Sequence, residues 1–124
     1  MATSIGFFLS SVIAAGIIFI GGRFLLAPSL AAAGYGVPAD TEPQSRAYLF
    51  AKGIRDIASG LFAAILIAYG SAHPLGWFML AATIIPISDA AIVLHHRGSR
   101  AVTFGVHGST AAAMLIISGL LLFG

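Results

Sequence analysis

Three charges, Lys52, Arg55 and Asp56, stand inside an apolar run from Ala47 to Gly70 that is long enough to cross a bilayer. At the centre of a hydrocarbon layer each costs roughly 2.5 to 3.5 kcal/mol, so a chain that keeps them must supply partners from elsewhere in its own fold. On a helix, Lys52, Asp56 and Ser59 fall at i, i+4 and i+7 and share one stripe, with Arg55 beside it at i+3. The rest of the chain has to bring polar groups to that stripe.

The surroundings leave one solvent for such a chain. Its 124 residues are 59% hydrophobic and 8% charged, whereas about a quarter of a soluble domain is charged. The composition is that of an integral membrane protein. At about 20 residues per span, the length allows four helices and short connections. The expected fold is therefore all-α, a single four-helix transmembrane domain with spans near 4–27, 47–70, 74–96 and 101–123 and one longer surface connection. The net charge of +2 is spread over membrane-flanking positions and makes no nucleic-acid footprint. There are no cysteines, which removes disulfides and thiolate chemistry. The first apolar segment has no basic region before it, and the small-residue pattern at Ala31 to Ala33 comes after Arg23, so the segment is expected to be retained as a span.

The first span stops at Pro28, with Arg23 about one turn inside its end, where the side chain can snorkel to the headgroups. Ser29 to Arg46 is rich in turn formers and is expected to lie on the membrane surface as a lid or collar, with Asp40 and Glu42 solvated. In the third span, Pro86 removes a backbone donor, so a kink and a freed carbonyl are expected near Asp89, facing protein or a wet cavity. His95 and His96 lie in a polar turn and suit headgroup contact. In the fourth span Thr103, His107, Thr110 and Met114 share a stripe.

Alternation of the helices puts all of these on one depth scale. At 1.5 Å per residue, Arg23 lies roughly 6 Å from one end of the bundle, Asp56 roughly 12 Å, and Asp89 and His107 roughly 9 Å. Each span thus offers an ionisable side chain to one layer. Lys52, Arg55 and Arg23 are expected to pair there with Asp56 and Asp89. All lysines and arginines lie at or near that same end, which by the positive-inside rule is cytoplasmic, with both termini on the other face.

The ordered motifs Gly-Gly-Arg-Phe-Leu-Leu-Ala-Pro (21–28), Tyr-Gly-Val-Pro (35–38), Ala-Lys-Gly-Ile-Arg-Asp (51–56), Ile-Pro-Ile-Ser-Asp (85–89) and Val-His-Gly-Ser-Thr (106–110) resemble an uncharacterised family of small four-helix membrane proteins of bacteria and fungi. The resemblance covers nearly the whole chain. It implies a four-helix bundle and no particular activity.

Function therefore has to be read from the residues. Asp56 and Asp89 are the expected acid and base, with His107 as proton shuttle or orienter and Arg55 or Lys52 as stabiliser of a developing oxyanion. Arg23, Ser59, Ser88, Thr110 and Met114 are the expected substrate-binding residues. Such a set suits isomerisation, cyclisation or epoxide opening of a lipophilic small molecule entering from the bilayer. A second reading is a proton-coupled transporter, which four helices would need to build as a homo-oligomer; a third is an ion-pair network that only sets helix register in a structural subunit. No cofactor is expected. His107, Asp56 and Asp89 form an acceptable hard-ligand set, but no spacing such as His-x-x-x-His supports them, so no metal is expected either.

Overall fold

The computed structural model describes residues 1–36 and 43–124. Among the described residues the chain is all-helical, with five helices: α1 (Ala2–Leu26), α2 (Pro28–Tyr35), α3 (Pro43–Tyr69), α4 (Ala72–His95) and α5 (Arg100–Phe123). Three of them, α1, α4 and α5, are long and apolar enough to cross a membrane by length and composition. The expected count of four is not met. Pro28 ends α1, and it also occupies the first position of a new helix, where a missing N–H costs nothing and the fixed φ suits helical geometry. Ala27 makes the break, at φ −143° and ψ 67°. The 27-residue α3 is long enough to span, but Lys52, Arg55 and Asp56 set its composition apart from the other three.

Of the connection expected over residues 29–46, the first part is α2 and the last part opens α3, while Asp40 and Glu42 lie outside the described residues. Gly36 closes α2 at φ 113°, a left-handed conformation that favours glycine, and a Cβ there would sit 3.0 Å from Val93 Cγ1. Its carbonyl accepts from the Ser99 N–H at 3.3 Å, which ties the end of α2 to the turn between α4 and α5.

Packing explains how the site is positioned. α1 and α3 run antiparallel in close contact, because two pairs of small residues face each other in register. A Cβ on Gly21 would lie 2.5 Å from the Gly53 carbonyl oxygen, and one on Gly60 would lie 2.9 Å from the Ala14 carbonyl oxygen. Without a hydrophobic drive in lipid, such backbone approach supplies the dispersion contacts that join helices. α4 and α5 pair along their lengths as a second hairpin. Leu75, Met79, Met114, Ile117 and Leu121 fill the core with Ala14 and Ala63, toward the end where the chain begins and finishes. Phe8, Phe19, Phe62 and Ile116 stay exposed on the outside.

Two irregularities interrupt the second hairpin, one midway along α4 and one near the start of α5. α4 is interrupted at Thr83, whose hydroxyl donates to the Met79 carbonyl at 2.8 Å, three residues before the buried Pro86. α5 opens into a π-helical turn over Thr103–Gly108. Extra-wide turns of this kind recur at functional sites. This one carries two buried polar residues, Thr103 and His107.

Candidate functional site

Between the α1–α3 pair and the α4–α5 pair lies a cavity of about 490 Å³. Its walls are mostly aliphatic, from residues such as Ile13, Ile17, Ala63, Met79, Ile85 and Met114. The polar groups collect toward the end where α2 covers it: Lys52 and Asp56 from α3, Asp89 from α4, His107 from the π turn of α5 and Tyr35 from α2. Pro86 and Ala82, the residue whose carbonyl the proline leaves unbonded, also face it, as expected of a membrane-helix irregularity.

Asp56 is 5% exposed and pairs with Lys52, whose Nζ is 3.1 Å from Oδ2 and 3.4 Å from Oδ1. The same ammonium lies 5.1 Å from the ring centroids of both Phe24 and Tyr35, within reach of their negative faces. Three favourable neighbours thus surround one charge.

Asp89 is satisfied differently from expectation. Lys52–Asp56 is the one ion pair among the described residues, and Asp89 Oδ1 accepts from the Tyr35 hydroxyl at 2.9 Å. His107 Nε2–H donates to the Tyr35 backbone carbonyl at 2.9 Å, with the two rings 4.8 Å apart and tilted at 58°. That bond places the proton of a neutral imidazole on Nε2 and leaves Nδ1 as an acceptor. Burial, and after it the Asp89 carboxylate, raise the Tyr35 phenol above its ordinary range, so it stays a proton donor.

Of the residues expected to bind substrate, Ser59, Thr110, Met114 and Arg23 line the cavity, Arg23 as an exposed side chain at its edge. The Ser59 and Thr110 hydroxyls donate to carbonyls of their own helices, at Arg55 and Val106. Arg55 and Ser88 do not reach the cavity and are exposed. Each is next in sequence to an inward carboxylate, and one residue rotates a helix by about 100°. Arg55 therefore lies outside the group of polar side chains that meets in this cavity. Tyr35 is the site residue that helical spacing did not find; its signal was its place in the Tyr-Gly-Val-Pro motif, next to a glycine that permits a sharp turn.

Toward the far end, Ser11, Thr83 and Ser118 each bond a carbonyl one turn back in their own helix. Tyr69 is exposed. No group of three or more metal-ligating side chains occurs among the described residues.

This constellation lies wholly within residues 14–121, the stretch matched by the model of a family described as a domain of unknown function, DUF4267. The chain belongs to that family. The resemblance carried by the sequence motifs is thereby shown. Comparison with curated proteins found no match, and comparison with solved structures found none.

Proposed function

We propose that the chain binds a lipophilic small molecule in this cavity and acts on it by acid–base chemistry. The observation that carries the reading is the joining of two carboxylates, a phenol and an imidazole at one end of an otherwise aliphatic cavity. A volume of about 490 Å³ falls in the range of small-molecule sites, which are mostly apolar with a few convergent polar groups. The apolar body of a substrate would lie along α1 and α4, and its polar function would meet Asp56 and Asp89. Val12, Ile20, Ile85 and Val106 line the cavity while remaining exposed, which suits entry from lipid.

The two carboxylates differ in a way that suits separate roles. Asp56 is paired with the Lys52 ammonium, whereas Asp89 accepts through Oδ1 from a neutral phenol, which suits the two carboxyl groups to different parts in a proton transfer. Tyr35 and His107 orient this pair, and Lys52 is the cation nearest to charge developing on a substrate oxygen. Isomerisation, cyclisation and epoxide opening remain the reaction types that such a set suits.

In the bilayer, we place α3 as a fourth span beside α1. Its charges then face the cavity rather than lipid, except for Arg55 near the basic end. Arg23, Arg46, Arg97 and Arg100 gather at that end, which supports a cytoplasmic assignment for it and the opposite side for both termini. In the other half the Ser11, Thr83 and Ser118 hydroxyls are satisfied within their own helices and the Ser10 hydroxyl alone is buried without a partner, a set too sparse for a continuous polar path, which favours a binder over a transporter.

The test is mass spectrometry of small molecules extracted from purified wild type and Asp56→Asn in the same detergent. A defined lipophilic compound retained by the wild type and lost or altered in the variant is the expected result. Equal extracts from two equally folded proteins would overturn the reading.

A further inference from the structure

Lys52 is the only lysine in the sequence, beside five arginines, Arg23, Arg46, Arg55, Arg97 and Arg100. That single primary amine faces the cavity, 3.1 Å from a carboxylate that is 5% exposed and beside the rings of Phe24 and Tyr35. If Lys52 served only as a counter-ion for Asp56, arginine would serve better: its guanidinium binds a carboxylate through two parallel bonds and is less strongly hydrated. What lysine offers and arginine does not is an amine that can lose its proton and attack carbon.

We propose that Lys52 forms an imine with a lipophilic aldehyde or ketone bound in the cavity. The inference rests on the cavity's being a small-molecule site and names the class of carbonyl compound it takes. Asp56 accepts a proton from the Lys52 ammonium, and the neutral Nζ attacks the carbonyl carbon to form a C–N bond and a carbinolamine. Asp56 then returns a proton to the carbinolamine hydroxyl, which leaves as water, and the C=N bond forms. No oxidant or reductant is consumed. Protonated, the imine keeps the positive charge that Lys52 carried, so Asp56 remains its counter-ion and the two rings still flank it. The aliphatic walls limit the water that would hydrolyse the product.

The geometry also fits the alkyl part. Nζ stands at the polar end of the cavity, so a chain attached there extends between α1 and α4 along Ile17, Ile13 and Met79. Asp89 and His107, lining the same end, can exchange a proton with the carbon next to the imine, the step that imine formation makes easier.

The experiment incubates purified wild type with decanal and sodium cyanoborohydride, which reduces an imine to a stable secondary amine, and maps the added decyl group by peptide mass spectrometry. The amine of Met1 is an internal reference for untargeted labelling. The expected result is labelling of Lys52 well ahead of Met1, absence of label at position 52 in Lys52→Arg, and labelling slowed roughly a hundredfold in Asp56→Asn, the scale of a lost acid–base group. A double variant, Lys52→Arg with Arg55→Lys, keeps a cation beside Asp56 and moves the amine outside the cavity. Labelling of that exposed lysine as fast as Lys52, or labelling of Lys52 no faster than Met1, would overturn the proposal. A non-carbonyl compound retained by the wild type together with unlabelled Lys52 would overturn the imine and leave the small-molecule site standing.

Discussion

The Tyr35 hydroxyl donates to Asp89 Oδ1 at 2.9 Å across 54 positions of sequence. Through this bond the short helix α2 is held against α4, and its backbone carbonyl receives His107 from α5. One residue in the interhelical segment thus joins three helices over the polar end of the cavity.

Tyr35→Phe removes the hydroxyl while keeping the ring beside His107 and Lys52. The lost bond goes to a charged acceptor in a half-buried position, so a stability loss of about 1 to 2 kcal/mol is expected from thermal unfolding in detergent. The phenol's pKa is raised by burial and by Asp89. For a raised group the stabilising contribution is full below the unfolded value of about 10 and is lost as pH rises through the higher folded value. The ultraviolet titration of the wild type should accordingly show a late tyrosinate step that Tyr35→Phe lacks.

Asp56→Asn leaves Lys52 without its ion partner. Breaking a fully buried pair costs about 3 to 5 kcal/mol. The Lys52 side chain keeps 26% of its exposure, so a smaller loss, about 1 to 3 kcal/mol, is expected. Lys52→Met combined with Asp56→Leu should recover most of that stability while abolishing ligand retention. Recovery of both would reduce the pair to a structural role.

His107→Gln keeps an N–H donor for the Tyr35 carbonyl, whereas His107→Leu strands that acceptor. The leucine variant should lose about 1 to 2 kcal/mol, the cost of a half-buried carbonyl left unpaired, and the glutamine variant much less. If His107 also moves protons, both variants lose turnover or ligand alteration. Stability separates its anchoring role from its chemistry.

The α1–α3 contact should be intolerant of side chains at its glycines. Gly21→Val or Gly60→Val forces a branched side chain against facing backbone and should cost about 1 to 3 kcal/mol or more. A Cβ on Gly22 meets nothing within 4 Å, so Gly22→Ala should be neutral or gain up to about 1 kcal/mol from helix propensity. Thermal unfolding of the three variants side by side makes the comparison.

Helix content, the apolar surface and the shared depth of Asp56, Asp89 and His107 were legible in the residues alone, because each depends on local quantities: run length, periodicity and a rise of about 1.5 Å per residue. The proline irregularity was legible for the same reason. Which sector of each helix turns inward was not, since it depends on partners: Gly21 meeting Gly53 rotates α3 so that Asp56 enters the cavity and Arg55 leaves it. The π turn that carries His107, packed against α4, was also invisible, since no spacing of residues in α5 marks it. Tyr35 shows the limit most clearly. Its hydroxyl and carbonyl are bonded 54 and 72 positions away, and no local pattern encodes such a distance. Only the packing of α2 over the polar end of the cavity brings those groups together, in a half-buried setting where water competes less for their hydrogen bonds.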